Sequence, residues 1–193
     1  MQSAEQGAPR VAAAHERTPT SVTLSALGLV LGAVVVCWHA PGSYQIYLAL
    51  HVVAAVVWVG GDATLTTLGI VFQRRQDAET LAAIGKVGAW IGPRLYTPAS
   101  FALFALGVAL VEKGNWGWGT VWLDLAIAGW AVTTGIGVLY VGPELGRIDR
   151  DAAAHGPRSP QVEQRVRRLF AIFRFDTALL ILILIDMAAK PAF

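Results

Sequence analysis

The sequence predicts an all-α, polytopic membrane helix bundle of five transmembrane helices, a four-helix core plus one, with the N-terminus inside and the C-terminus outside. Three observations carry this. Hydrophobic residues make up 55% of the 193 positions and charged residues only 15%, with a mean hydropathy of +0.54, far from the profile of a soluble globular domain. The apolar residues are gathered into stretches long enough to cross a hydrocarbon layer about 30 Å thick. The basic residues are sorted by side, as the positive-inside rule requires of an inserted protein.

The elements follow in chain order. Residues 1–19 mix Gln, Glu, Pro, Arg and Ala without apolar periodicity, the composition of a mobile cytoplasmic tail. Residues 20–193 are expected to form a single transmembrane domain, with spans at about 20–38, 44–72, 94–111, 121–141 and 169–187. The first is not followed by a convincing small-x-small cleavage site leading into polar mature sequence and reads as a retained helix. Pro41, Gly42 and Ser43 turn the chain into the second, which is long enough to tilt or project beyond the bilayer. Between Arg74 and Gly92, Leu81, Ile84, Val87, Trp90 and Ile91 recur at helical spacing, which fits either an interfacial helix or a solvated connecting one. Pro98 removes a backbone donor within the third span and can kink it beside Arg94. Lys113 to Trp122 pairs glycines with Trp116, Trp118 and Trp122, which read more readily as an aromatic belt at the outer surface than as a binding loop. In the fourth span, glycines and Thr133 and Thr134 allow close helix approach. Gly-Pro-Arg-Ser-Pro then breaks the helix, and Gln161 to Arg168 extends the fifth span into the cytoplasm.

This topology puts Arg10, Arg17, Arg74, Arg75, Lys86, Arg94, Arg147, Arg150, Arg158, Arg165, Arg167, Arg168 and Arg174 on the inside and only Lys113 and Lys190 on the outside. The basic residues thus sit at membrane edges, and the formal net charge of +2 gives no reason to expect nucleic acid as a partner. The expected setting is the inner (plasma) membrane, with the lipid bilayer and a membrane complex or homo-oligomer as partners. Cys37 is the only cysteine, which excludes an internal disulfide and any CxxC or Cys-rich zinc site.

The segment from His51 through Trp58, Gly60 and Gly61 to Asp62 places a histidine and an acid inside an apolar stretch. Ionisable groups at the bilayer centre cost about 2.5–3.5 kcal/mol on insertion scales, so they persist where they line an interior and bind or react. At about 100° per residue, His51, Ala55, Trp58, Asp62 and Thr66 share one helix face. Such a polar stripe with small gaps admits a flat, largely apolar cofactor, and the imidazole can ligate its metal. His39, at the outer end of the first span, is a second candidate metal ligand. Arg94 and Tyr96 in the third span, Arg174 and Asp176 in the fifth and Asp62 in the second are expected at one depth. They would form either a polar pocket for an anionic ligand or an ion-pair network locking the helices together.

The spacing His51-x6-Trp58-x-Gly60-Gly61 resembles the histidine helix of small bacterial membrane proteins of the CopD-like and HemJ-like kind. These include the membrane domain of copper-resistance protein D, the membrane protoporphyrinogen oxidase HemJ and a family of uncharacterised predicted membrane proteins, the last being nearest in length and in the Trp-x-Gly-Gly ending. The resemblance implies a haem-binding four-helix core in which His51 is an axial ligand, and haem b is the expected cofactor. Trp58 would then flank it, and Arg94 and Arg174 would hold its propionates. Electron transfer or haem-linked redox chemistry is the implied function. A membrane subunit of a larger complex without its own cofactor is the alternative. Copper handling ranks third, because Met1 and Met187 are the only methionines and copper would rest on Cys37, His39 and His51. No catalytic residues are matched, so no reaction is assigned.

Overall fold

A computed structural model of the chain describes residues 42–190 and, before them, Leu24, Gly28, Leu31, Gly32, Val35 and Trp38. The expected tail and most of the expected first span lie outside the described residues, as do Cys37 and His39. The described chain is helical almost throughout.

Gly42, at φ 70°, turns the backbone into α1, Ser43–Arg74. At 1.5 Å per residue its 32 residues reach about 48 Å, well beyond the hydrocarbon thickness. A left-handed residue, Gln76, closes the turn that follows. Asp77 then caps α2, Ala78–Ile91, by accepting from the Thr80 backbone N–H at 3.0 Å and the Thr80 hydroxyl at 2.7 Å. α2 does not end at the membrane edge. It passes through a π-helical turn, Gly92–Tyr96, into α3, Thr97–Gly114. Likewise α4, Val121–Gly135, continues through a second π turn, Ile136–Val141, into α5, Gly142–His155. Gly156, at φ 88°, ends that run, and Pro160 occupies the first turn of α6, Pro160–Ala189.

The two π turns have one cause. A proline ring collides with the carbonyl four residues before it and offers that carbonyl no N–H. For Pro98 that carbonyl belongs to Arg94, and for Pro143 to Leu139, each inside a π turn. Widening the turn removes the collision while the ladder continues one residue out of phase. Thr97 N–H accordingly donates to Gly92 O and Gly142 N–H to Gly137 O. The kink expected at Pro98 thus takes the form of a π turn in an unbroken helix.

Among the described residues, three helices are long and apolar enough to cross a membrane: Ser43–Arg74, Ala78–Gly114 and Val121–His155. The fourth long run, α6, is of similar length but carries Arg174, Asp176 and Asp186 along its apolar half. α1 packs along α3 and α6, and α4 packs along α6, while α3 and α4 meet only lightly. The bundle is therefore two helix pairs joined chiefly through α1 and α6. Outside it, Val53, Val56, Leu125, Leu139, Phe175, Leu182 and Ile185 are exposed, an apolar outer surface suited to lipid tails rather than water. Inside, Tyr47, Leu106, Ala109 and Leu110 form one packed cluster, and Trp58, Val59 and Leu180 another.

Candidate functional site

Between the helix pairs lies a cavity of about 580 Å³ with almost wholly apolar walls. α1 contributes His51, Trp58 and Gly60, α3 contributes Phe104 and Gly107, α4 contributes Trp122 and Trp130, and α6 contributes Met187. Its size falls within the usual range of small-molecule and cofactor sites.

His51 is held in one orientation. Its Nδ1 lies 3.0 Å from the Leu103 carbonyl oxygen on α3. A carbonyl oxygen only accepts, so Nδ1 carries the proton, and the lone pair of the neutral ring sits on Nε2. Metal-bound histidines are commonly oriented in this way, with one ring N–H on a backbone carbonyl. Gly107, one turn further along α3, lets the ring lie against the helix backbone. A Cβ there would stand 3.3 Å from His51 Cε1.

Aromatic rings stiffen the opposite wall. Trp130 stacks on Phe104 with centroids 4.1 Å apart and an interplanar angle of 19°. Its indole N–H is directed at Ser100, with the carbonyl oxygen at 3.1 Å and Oγ at 3.0 Å, and the Ser100 hydroxyl pairs with that of Thr134 at 2.7 Å. The ring is thus fixed at both its apolar and its polar end. At the other end of the cavity Trp116 and Trp122 meet edge to face, and the Trp118 N–H donates to Glu112 Oε1 at 2.7 Å. The tryptophans expected as an interfacial belt, or less readily as a binding loop, therefore also line the cavity.

The remaining expected residues are distributed differently. Trp58 is buried beside Val59 and Leu180 and lines the cavity with His51. Arg94 does not reach it. Its guanidinium donates to the Trp90 carbonyl at 3.0 Å and lies 4.6 Å from the Trp90 ring centroid, so it is engaged one turn back on its own helix. Arg174 is exposed on α6 and also does not line the cavity. The ion pairs expected between these arginines and Asp62 or Asp176 are not formed. Two residues apart on a helix is about 200°, so Arg174 faces outward where Asp176 faces inward. Asp62 instead accepts from the Thr177 hydroxyl at 2.5 Å, and Thr177 lies 3.0 Å from the buried Thr66 hydroxyl. Asp176 is buried with Oδ1 lacking a hydrogen-bond partner among the described residues.

Ion pairing is concentrated beyond the apolar stretches. Glu144 on α5, nearly buried, accepts from Arg147 at 3.0 Å and from Arg165 on α6 at 2.6 Å, while Arg165 Nε lies 2.7 Å from Asp151 Oδ2. Burial pushes the Glu144 carboxyl up, but the hydrogen bonds and charges of the two arginines outweigh it and hold the group below its ordinary value.

Among the described residues no group of three or more His, Cys, Asp or Glu side chains is placed to hold a metal ion. The copper ligand set of Cys37, His39 and His51 depends on two residues outside them. Among the described residues lining the cavity, the side chains with a lone pair suited to a metal are His51 and Met187. One oriented imidazole among apolar walls offers a bare ion too few ligands, since such an ion needs a fuller polar shell, and leaves room for a largely apolar ligand. Met187, Lys190, Gly107 and the Leu103 carbonyl were not singled out as site residues in the sequence, because nothing in their local spacing marks the cavity they share.

No curated protein and no solved structure matches the chain. Residues 45–191 match the model of a family described as predicted integral membrane protein (DUF2269), and the chain, an integral membrane protein, belongs to that family.

Proposed function

We propose that the protein binds b-type haem in the cavity between its helix pairs, with His51 as axial ligand, and serves electron transfer or haem-linked redox chemistry. One observation carries the reading. His51 opens onto an apolar cavity with its Nδ1 committed to Leu103 O, which leaves Nε2 for a metal. The likeness of the His51-x6-Trp58-x-Gly60-Gly61 helix to CopD-like and HemJ-like proteins supports it. Trp58 and Met187 would supply apolar wall around the group. Bound haem would supply the one-electron chemistry. The chain's own residues orient it and exclude water.

The same proposal places the protein in the inner membrane with five crossings, α6 being the last and the stretch at 20–38 the first. The sorting of Lys and Arg supports an inside N-terminus and an outside C-terminus. Single cysteines introduced in a Cys37→Ser background should be labelled from the cytoplasm at position 155 and from outside at position 117. Labelling of position 155 from outside would reverse the orientation.

Absorbance spectroscopy tests the haem reading directly. Detergent-purified protein from haem-replete cells should show a Soret band and reduced α and β bands. His51→Ala should lose them while inserting and eluting like the wild type. A colourless wild type would overturn haem binding and favour a subunit of a larger complex without its own cofactor.

A further inference from the structure

The cavity is polar at two places. One is His51, half-buried on α1, and the other is Lys190, exposed, which follows the last residue of α6 and is the one charged side chain among the described residues lining it. The backbone leaves the helix at Lys190 in a left-handed conformation, φ 42°, tied by its N–H to Asp186 O at 2.8 Å. The ammonium lies 3.8 Å from the Trp116 ring centroid and 5.8 Å from that of Trp122. It belongs to none of the ion pairs among the described residues. Indole faces hold a cation in place without cancelling its charge. A cation held at the rim of an otherwise apolar chamber complements a ligand with an apolar body and an anionic end.

We infer that Lys190 positions the ligand by pairing with its carboxylates, so that haem sits with its propionates toward the Trp116–Trp122 end of the cavity and its iron toward His51. This rests on the haem reading above and replaces Arg94 and Arg174 as the propionate partners, since neither lines the cavity. It also gives the cavity a polarity. A carboxylate buried in the apolar interior would lack a counter-charge, whereas at the Lys190 end it has one.

The test compares haem b with its dimethyl ester, which keeps the ring and iron but lacks the two negative charges. Full-length protein from haem-depleted cells is titrated with each, and binding is read from the Soret band. The wild type should bind the free acid more tightly than the ester. Lys190→Gln should weaken the free acid by about tenfold or more, the scale of one charge-assisted hydrogen bond, and leave the ester unchanged. Lys190→Arg should restore the preference. Equal losses with both ligands would overturn the inference, because they would mark Lys190 as a packing residue or an axial ligand. So would loss of the preference in Arg94→Gln or Arg174→Gln with Lys190→Gln silent. If the wild type takes up neither ligand, the haem reading itself fails, and the role of Lys190 falls with it.

Discussion

Gly107 faces His51 so closely that a Cβ built on it would stand 3.3 Å from Cε1 and 3.7 Å from Nδ1 of the imidazole. The ring is thereby pressed against α3, with its Nδ1 on the Leu103 carbonyl and its edge on the cavity. Gly107→Val should push the ring off that carbonyl, at an overpacking cost of about 1–3 kcal/mol. In haem-loaded protein the Soret band should shift or weaken. Gly88 provides the control, because it lies in α2 away from the cavity and a Cβ there meets nothing within 4 Å. Gly88→Ala should leave the spectrum in place and, through helix propensity alone, keep or slightly raise stability. Equal spectra for both variants would show that the ring is not held where the structure has it.

A second close approach joins α1 to α6. A Cβ on Gly69 would land within the Phe170 ring, so the two helices meet at this depth only because position 69 has no side chain. Gly69→Ala should lower the melting temperature in detergent, with an overpacking cost of about 1–3 kcal/mol. Phe170→Leu should cost little in that background and recover part of the loss, since the smaller side chain vacates the collision. Additive losses in the double variant would argue against the contact.

These contacts mark where sequence reading ends. The helices at 44–72 and 121–141 are legible because hydropathy and turn residues are local properties, and α1 and α4 begin within a residue of them. The π turns are legible only in part. Pro98 announces a disturbed helix, but its resolution as a wider turn depends on the chain beyond it staying helical. His51 stands out because an imidazole in an apolar stretch is costly wherever it lies. Its partner does not, because Leu103 contributes a backbone carbonyl that any residue would offer. The pairing of Arg94 and Arg174 with Asp62 and Asp176 follows from depth alone and misses rotation about the helix axis. That rotation sends Arg174 outward and leaves Arg94 within reach of Trp90. The Glu144–Arg165 pair spans two helices at a separation no local pattern reveals.

Glu144 should make stability depend on pH. Although burial raises it, the hydrogen bonds from Arg147 and Arg165 leave its carboxyl below the ordinary glutamate value in the folded protein. A depressed folded value means the contribution is fully present above the unfolded value and is lost as pH falls through the folded one. Thermal stability should therefore fall on acidification through the carboxylate range. Glu144→Gln should melt several degrees lower at neutral pH and show a flatter decline below it. An unchanged pH profile in Glu144→Gln would assign the acid sensitivity to other carboxylates.

The inner polar groups separate two arrangements by energetic coupling. Asp62 is satisfied by the Thr177 hydroxyl, which also meets Thr66, whereas Arg94 is engaged with Trp90 and Arg174 is exposed. Thr177→Val keeps the shape of the side chain but removes the donor, and because Asp62 is only half-buried the cost should fall toward the lower end of the about 1–3 kcal/mol of a fully buried acceptor. Asp62→Asn keeps an acceptor and should cost less. Because the arginines have no contact with Asp62, combining Arg94→Gln or Arg174→Gln with Asp62→Asn should give additive changes, within about 0.5 kcal/mol. Thr177→Val and Asp62→Asn should not be additive, since both act on one hydrogen bond. Unfolding in mixed micelles gives the four energies of each cycle. Rescue of an arginine variant by Asp62→Asn would instead establish an ion pair across the bundle and contradict the arrangement of α1, α3 and α6 described above.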